Sequence, residues 1–307
     1  MLDGWYTDAA CTQFFSADTA VTGDITLYAA WGGESSDLGL FRFVTADDGY
    51  KVALADTVNK ASVTELVVPT TYNGLPVVGV QEYGFEDCVN LVSVVLPRTT
   101  SIISYHAFEN CTSLRTVTVG GTSLREIGFG VFEGCSALEE VEIDGSARIN
   151  WVYGNVFCDS PAMTEQLEQS DGLYYWRDIL MGDNAVVTSP DLEAADGTLT
   201  SVSVRAGTRV IAALALENQT MSGFAVPEGV EYIGYMGLPD VKTLSLPSTL
   251  RRVNESSSSM STFAYGIENI SVADGNRYYG VEDGCLVMYD GMKVIASELG
   301  ATSLPDG

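Results

Sequence analysis

The sequence predicts a mainly β solenoid: a parallel sheet with short one-turn helices, interrupted by β-hairpins and preceded by a small β-rich module. Three observations carry that prediction. The segment Phe85-Glu86-Asp87-Cys88 recurs as Phe108-Glu109-Asn110-Cys111 and as Phe132-Glu133-Gly134-Cys135. Six residues after each Phe, a Leu opens an apolar alternation: Leu91-x-x-Val94-x-Leu96, Leu114-x-x-Val117-x-Val119 and Leu138-x-x-Val141-x-Ile143. Five residues before each Phe stands a second apolar anchor, Val80, Ile103 or Ile127. The repeating unit is therefore a strand, a turn, a second short extended piece, and a one-turn helix around the Phe.

Taken in chain order, Phe41-Arg42-Phe43-Val44 and Tyr50-Lys51-Val52-Ala53-Leu54 flank Asp47-Asp48-Gly49 as a first hairpin. A first repeat strand, Val63-x-x-Leu66-x-Val68, is followed by the tight turn Tyr72-Asn73-Gly74. Clear repeats run over residues 63–162. In the last of them Phe157-Cys158-Asp159-Ser160 puts Ser where Cys stood, with Val152 as the anchor. Alternation fades over residues 163–198, where Leu173 to Met181 reads as a hairpin turning at Arg177-Asp178. It resumes over residues 199–307, as Leu199-x-x-Val202-x-Val204, Met221-x-x-Phe224-x-Val226, Val241-x-x-Leu244-x-Leu246 and Ile267-x-x-Ile270-x-Val272. There Ile211 and Ile233 are the anchors, Leu216 and Leu238 take the Phe place, and Gln219 stands where Cys stood. A last hairpin spans Leu286 to Ile295 around Asp290-Gly291, a dipeptide suited to the positive φ of a type I′ turn. These hairpins cap or interrupt the stack, because an open sheet edge invites pairing.

A period of 20 to 29 residues with short strands is the size of a leucine-rich repeat, whose units bury their apolar face only by stacking. Eight units with strands about 4.8 Å apart in one parallel sheet would span roughly 40 Å. Cys88, Cys111 and Cys135 lie 23 and 24 residues apart. Even spacing of that kind marks a repeated core position, so free buried thiols are expected, with Cys158 outside the ladder.

Charge removes several functions. With 15 bases against 41 acids the net charge is −26, and the four lysines form no cluster. Nucleic acid and anionic membrane surfaces are thus excluded as partners. No apolar run reaches the roughly 18 to 20 residues of a spanning helix, and Met1-Leu2-Asp3-Gly4-Trp5-Tyr6 does not open a signal peptide.

The strand pattern, the anchors and the turn Ala107-Phe108-Glu109-Asn110-Cys111 resemble the BspA-type leucine-rich repeats of bacterial surface proteins, over roughly residues 38–307. Gly4-Trp5-Tyr6-Thr7-Asp8, Cys11 and Val21-Thr22-Gly23-Asp24-Ile25-Thr26-Leu27-Tyr28-Ala29-Ala30-Trp31 resemble the second half of a Listeria-Bacteroides (internalin B-type) repeat. Residues 1–32 are then a partial module, residues 33–37 a linker, and residues 38–307 the solenoid with a hairpin insert at about 163–198. Both ends read as cut through a domain. The resemblance implies a secreted or surface-attached protein of a host-associated bacterium. It also implies a role in adhesion or protein binding, and no catalytic residues.

No nucleophile elbow, zinc-protease helix or phosphate loop is present. The lone His106 offers no His-cluster metal site and reads as a polar turn residue. Glu139, Glu140 and Glu142, with Glu109 and Glu133 on turns, are acids without a second motif. Asp274-Gly275-Asn276 with Glu282-Asp283 lacks calcium-loop spacing and reads as a solvated turn. The candidate site is the outward side of the sheet, opposite the apolar anchors: Glu65, Thr116, Thr118, Glu140, Glu142, Ser201, Ser203, Thr243 and Ser245. Tyr174-Tyr175-Trp176-Arg177 and Tyr278-Tyr279 are richer in binding-type side chains, with packing against the solenoid as the competing role. The expected function is a non-enzymatic adhesion or recognition module. It would be monomeric and without cofactor or metal, and would bind a host extracellular or bacterial surface protein. The alternative is a structural spacer in a larger surface protein.

Overall fold

The computed structural model describes residues 2–7, 23–31, 38–188, 202–217, 219–253, 267–289 and 293–297, and in it each repeat is one coil. The chain divides into two units, Met1–Ile149 with Val156–Glu165, and Asn150–Asn155 with Gln166–Gly307.

In the first unit the repeat strands Glu65–Val67, Ser93–Leu96, Thr116–Val119 and Glu140–Ile143 form a parallel sheet. Its register pairs Thr116 with both Ser93 and Glu140, so every coil presents the same face. The anchors make a second parallel sheet through Leu75–Val80, Ile102–Ile103 and Glu126–Ile127. The first hairpin, Phe41–Ala46 with Gly49–Leu54, continues that second sheet by pairing in parallel with Leu75–Val80. It thereby covers an edge as the sequence predicts. Asn73 and Gly74 take φ of 49° and 78°, the left-handed pair that closes Thr71–Tyr72 onto Leu75–Val80. Leu2–Tyr6 pairs antiparallel with Tyr28–Trp31.

Between the sheets the Phe turns stack. Phe85, Phe108, Phe132 and Phe157 are almost wholly buried, their rings nearly parallel with centroids 5.5, 5.9 and 6.0 Å apart. The turns are hydrogen-bonded coil to coil as well: Phe85 N–H donates to Ala107 O and Phe108 N–H to Val131 O. The Phe segment is a run of turns closed by bonds three residues back, such as Gly84 N–H to Gln81 O and Cys88 N–H to Phe85 O, rather than a turn of α-helix. Two residues before Phe85, Phe108, Phe132, Leu216 and Leu238 the backbone is left-handed, at Tyr83, His106, Gly130, Leu214 and Met236. A second left-handed residue follows at Asp87, Asn110 and Gly134. A right-handed helix cannot propagate through either position.

The cysteines form the expected ladder. Cys111 Sγ donates to Phe85 O and Cys135 Sγ to Phe108 O, each reaching back one coil. Ser160, the substitute in the next coil, lies 3.1 Å from Phe132 O and so continues the same rung. Cys88, Cys111, Cys135 and Cys158 are free and buried. Burial pushes the Cys135 thiol up to about 12 from an ordinary value of 9.0. Above pH 9 the unfolded chain gives up a proton that the folded chain keeps, so stability should fall as pH rises toward 12, by about 1.4 kcal/mol per pH unit from this thiol. Urea midpoints measured from pH 8 to pH 10.5 check this, and Cys135→Ser, which can keep the rung, should flatten the slope.

In the second unit Glu168–Ser170, Leu173–Trp176 and Ile179–Asp183 form an antiparallel meander, the latter two strands turning through a left-handed Arg177. Ile179–Asp183 then pairs in parallel with Val210–Ile211, which leads to Tyr232–Ile233 and Arg252–Val253. The outward sheet is Thr220–Ala225, Asp240–Leu246 and Asn269–Val272. Tyr279–Glu282, Cys285–Met288 and Lys293–Ser297 form a final antiparallel group; Asp290 and Gly291 of the expected hairpin turn lie outside the described residues. Gln219, in the former Cys place, is buried and donates to Asp183 Oδ2 at 2.8 Å, while Asp183 Oδ1 accepts from Val186 N–H.

Two expectations are corrected. The repeats predict one continuous outward sheet, whereas the described residues make a four-stranded and a three-stranded one. The strand predicted around Val202 and Val204 is absent, because that segment is held by side chains instead. Arg205 N–H donates to the Tyr175 hydroxyl, and the Arg205 guanidinium lies over the Tyr175 ring and pairs with Glu168.

Candidate functional site

Period-two alternation buries Leu66, Val94 and Val117 and turns their neighbours outward. The register of the first unit arranges those neighbours in two rows. Glu65, Ser93, Thr116 and Glu140 make one, and Val67, Val95, Thr118 and Glu142 the other. Glu65, Glu140 and Glu142 are exposed, and Thr116 and Thr118 are half-buried between neighbouring coils. Thr118 Oγ1 donates to Glu142 Oε2 at 3.0 Å, tying two adjacent strands. Val67, at 65% exposure, stands beside the half-buried Val95 as the apolar part of a mainly polar face. In the second unit Thr243 pairs with Gly223 and Asn269, and Ser245 with Ala225 and Ser271. The Ser245 and Ser271 hydroxyls are 2.8 Å apart. Ser203 is exposed but lies on the segment that forms no strand, and Ser201 falls outside the described residues. The sheet faces therefore gather seven of the nine expected positions. What they offer is a lattice of hydroxyls and carboxylates repeating at about the 4.8 Å strand spacing, rich in hydrogen-bond acceptors.

One tyrosine of each tyrosine-rich segment is packed inside, while Tyr278 is exposed. Tyr175 and Tyr279 are buried, and their hydroxyls accept from the backbone N–H of Arg205 and Val253. Burial raises both phenols above their ordinary value. Asn276 spends its side chain on the turn, donating to Pro247 O and Leu250 O and accepting from Tyr278 and Tyr279 N–H.

The repeat turns hold one grouping that reading along the sequence did not assemble. His106 Nδ1 lies 3.0 Å from Glu109 Oε2 and 3.8 Å from Glu133 Oε2. The signal was present in the repeat itself: Phe-Glu recurs 24 residues apart, so Glu109 and Glu133 stack, and His106 sits three residues before the first of them. The Glu133 carboxyl is raised by burial and by the neighbouring Glu109, with His106 acting the other way.

The stacked coils with two parallel sheets define a leucine-rich repeat solenoid. Residues 59–170 match the BspA type leucine rich repeat region in six copies, so this stretch is a BspA-type repeat region. No curated protein sequence matches the chain. Among solved structures, it is similar to a leucine rich cell surface protein from Faecalibacterium prausnitzii A2-165, at 18% identity and a TM-score of 0.38. That match covers 83% of this chain and 59% of the other, so this chain spans under two thirds of that protein's length. It is also similar to the T. pallidum leucine rich repeat protein, at 16% identity and a TM-score of 0.35, over 79% of this chain and 90% of that one. A leucine-rich repeat protein from Bacteroides ovatus matches at 14% identity and a TM-score of 0.27, over 76% of this chain and 75% of the other. Among the described residues no helix is long and apolar enough to cross a membrane.

Proposed function

We propose that this chain is a non-enzymatic protein-recognition module of a secreted or surface-attached bacterial protein. On this reading it acts in adhesion through the outward sheet of its first unit. Residues 1–32 are assigned with it as a partial module joined by the linker at 33–37, and residues 163–198 as an insert. The observation that supports recognition is the in-register acidic and hydroxylated face ending in Glu140 and Glu142. These two carboxylates are exposed, and Glu142 accepts from Thr118 of the neighbouring coil. A partner suited to it carries Arg or Lys donors on an extended or flat surface, since charge-assisted bonds to carboxylates are the strong ones. The exposed Val67 offers a small apolar contact at the opposite edge strand.

The test is binding of the chain to an array of extracellular matrix and bacterial surface proteins, repeated with Glu140→Lys plus Glu142→Lys. Those positions are exposed, so the double variant should fold normally while weakening capture at least about tenfold, mainly through a slower on-rate at low salt. Capture unchanged by the charge reversal would remove the sheet face from recognition. A chain that captures nothing in the array would favour the spacer role.

A further inference from the structure

We propose that His106, Glu109 and Glu133 form a site for one divalent cation of the Zn²⁺ class, clamping two successive coils of the first unit. The three side chains each offer one ligand atom, and those atoms lie within 4.8 Å of one another. The two separations from His106 Nδ1, 3.0 and 3.8 Å, bracket the roughly 3.3 Å edge of a tetrahedron whose metal–ligand bonds are about 2.0 Å. His106 Nδ1 is buried and has no hydrogen-bond partner of good geometry, despite its closeness to Glu109. A nitrogen lone pair buried in that way is what a bound cation would satisfy.

The surroundings hold the imidazole in place. Tyr83 stacks on it with centroids 5.1 Å apart and planes 3° from parallel, and Phe129 meets it edge-on at 5.2 Å. The left-handed backbone at His106, φ 51°, is fixed by donation of its N–H to Phe129 O. One coil further on, the equivalent left-handed residue is Gly130. A Cβ there would come within 2.4 Å of His106 Nδ1 and 3.1 Å of Glu133 Oε2, so the missing side chain is what leaves the ligands room. Glu109 and Glu133 are three-quarters or more buried, and stacked carboxylates without a fixed cation repel. In the coil before, Glu86 and Asp87 have Lys60 at 3.4 and 3.7 Å; here no lysine or arginine is paired with the two acids in that way, which leaves a place for a cation. A nitrogen with two carboxylate oxygens suits Zn²⁺ over the all-oxygen preference of Ca²⁺ and Mg²⁺. The fourth position is left for water or for a ligand atom of a bound partner.

The experiment uses the full chain without an affinity tag, titrated with Zn²⁺ against a chromophoric chelator and, in parallel, with Co²⁺ read by its visible spectrum. One equivalent should bind, with Co²⁺ showing no thiolate charge-transfer band. His106→Asn, whose new side chain tolerates the left-handed backbone, and Glu133→Gln should each weaken binding by at least about tenfold. Glu139→Gln, on an exposed acid paired with Arg115, should leave it unchanged. Zn²⁺ should raise the melting temperature of the parent chain and not of either site variant. Binding that survives both site variants, several weak equivalents insensitive to them, or a thiolate band from the cysteines would overturn the proposal. If His106→Asn lowers the metal-free melting temperature, Glu133→Gln decides alone, since its backbone is unaltered.

Discussion

Phe108→Ala is expected to lower the unfolding free energy by about 3–5 kcal/mol, the range for emptying a fully buried aromatic site. Phe108 has no exposed surface and is an interior ring of the stack, with Phe85 on one side and Phe132 on the other. Its carbonyl also accepts from Cys135 Sγ, so backbone relaxation into the cavity would break a rung of the ladder. The neighbouring coils are fixed to each other by turn and strand hydrogen bonds, so they cannot close over the void. Phe108→Leu should cost far less, about 1 kcal/mol, as a change that keeps most of the apolar volume. The second unit already uses Leu216 and Leu238 at this place. Urea denaturation followed by far-ultraviolet circular dichroism measures both; a loss below about 1 kcal/mol for the alanine variant would mean the ring stack is not a principal support of the unit.

Gly234→Val is expected to cost at least about 2–3 kcal/mol, through overpacking rather than through a cavity. Gly234 follows the anchor Ile233, and its backbone runs against the preceding coil. A Cβ would stand 2.2 Å from Ala213 N and 2.5 Å from Ala213 Cα, both main-chain atoms that no rotamer change can move. Gly128, which follows the anchor Ile127, meets the preceding coil in the same way, 2.7 Å from Tyr105 N. Gly223 provides the contrast. It lies on the outward sheet, and its Cβ would find Thr243 at an ordinary 3.5 Å, so Gly223→Ala should be neutral or mildly stabilising. Melting temperatures of the three variants should order as Gly234→Val lowest, then Gly128→Ala, with Gly223→Ala at or above the parent. Equal values for the first and last would show that close coil approach is not what these glycines serve.

The repeat phase made the coil legible before any coordinates, because Phe, Cys, strand and anchor each recur at fixed offsets. Ser160 shows how far this reached: its position alone predicted the ladder place that its hydroxyl occupies. The outward residues Glu65, Thr116, Thr118, Glu140 and Glu142 followed from period two and from register. Three things did not follow. The second parallel sheet rests on anchor strands as short as the two residues Ile102–Ile103, too brief for any periodicity to show. Ser203 was placed on a strand by its flanking valines, whereas Arg205 and Tyr175 hold that segment by contacts between residues 30 positions apart. The His106 grouping needs Glu133 from the next coil, and a reading along the chain sees only a lone histidine.

The uniform reach of the ladders has a consequence for how such a chain changes length over evolutionary time. Cys135 bonds to the coil of Phe108, Phe108 N–H bonds to the coil of Val131, and Thr116 pairs with Glu140 at an offset of one repeat. No rung in this stretch skips a coil. Excising residues 109–132 would join Phe108 to Glu133 and restore Phe-Glu-Gly-Cys in place, with every donor meeting an equivalent acceptor. Duplication of the same stretch would be accommodated just as well. Recombination between misaligned repeats of such a gene is thus expected to give products in which the coil-to-coil pairing is kept. Lengthening or shortening by a whole coil therefore keeps the register of every neighbouring coil, whereas a change of one or two residues would break it.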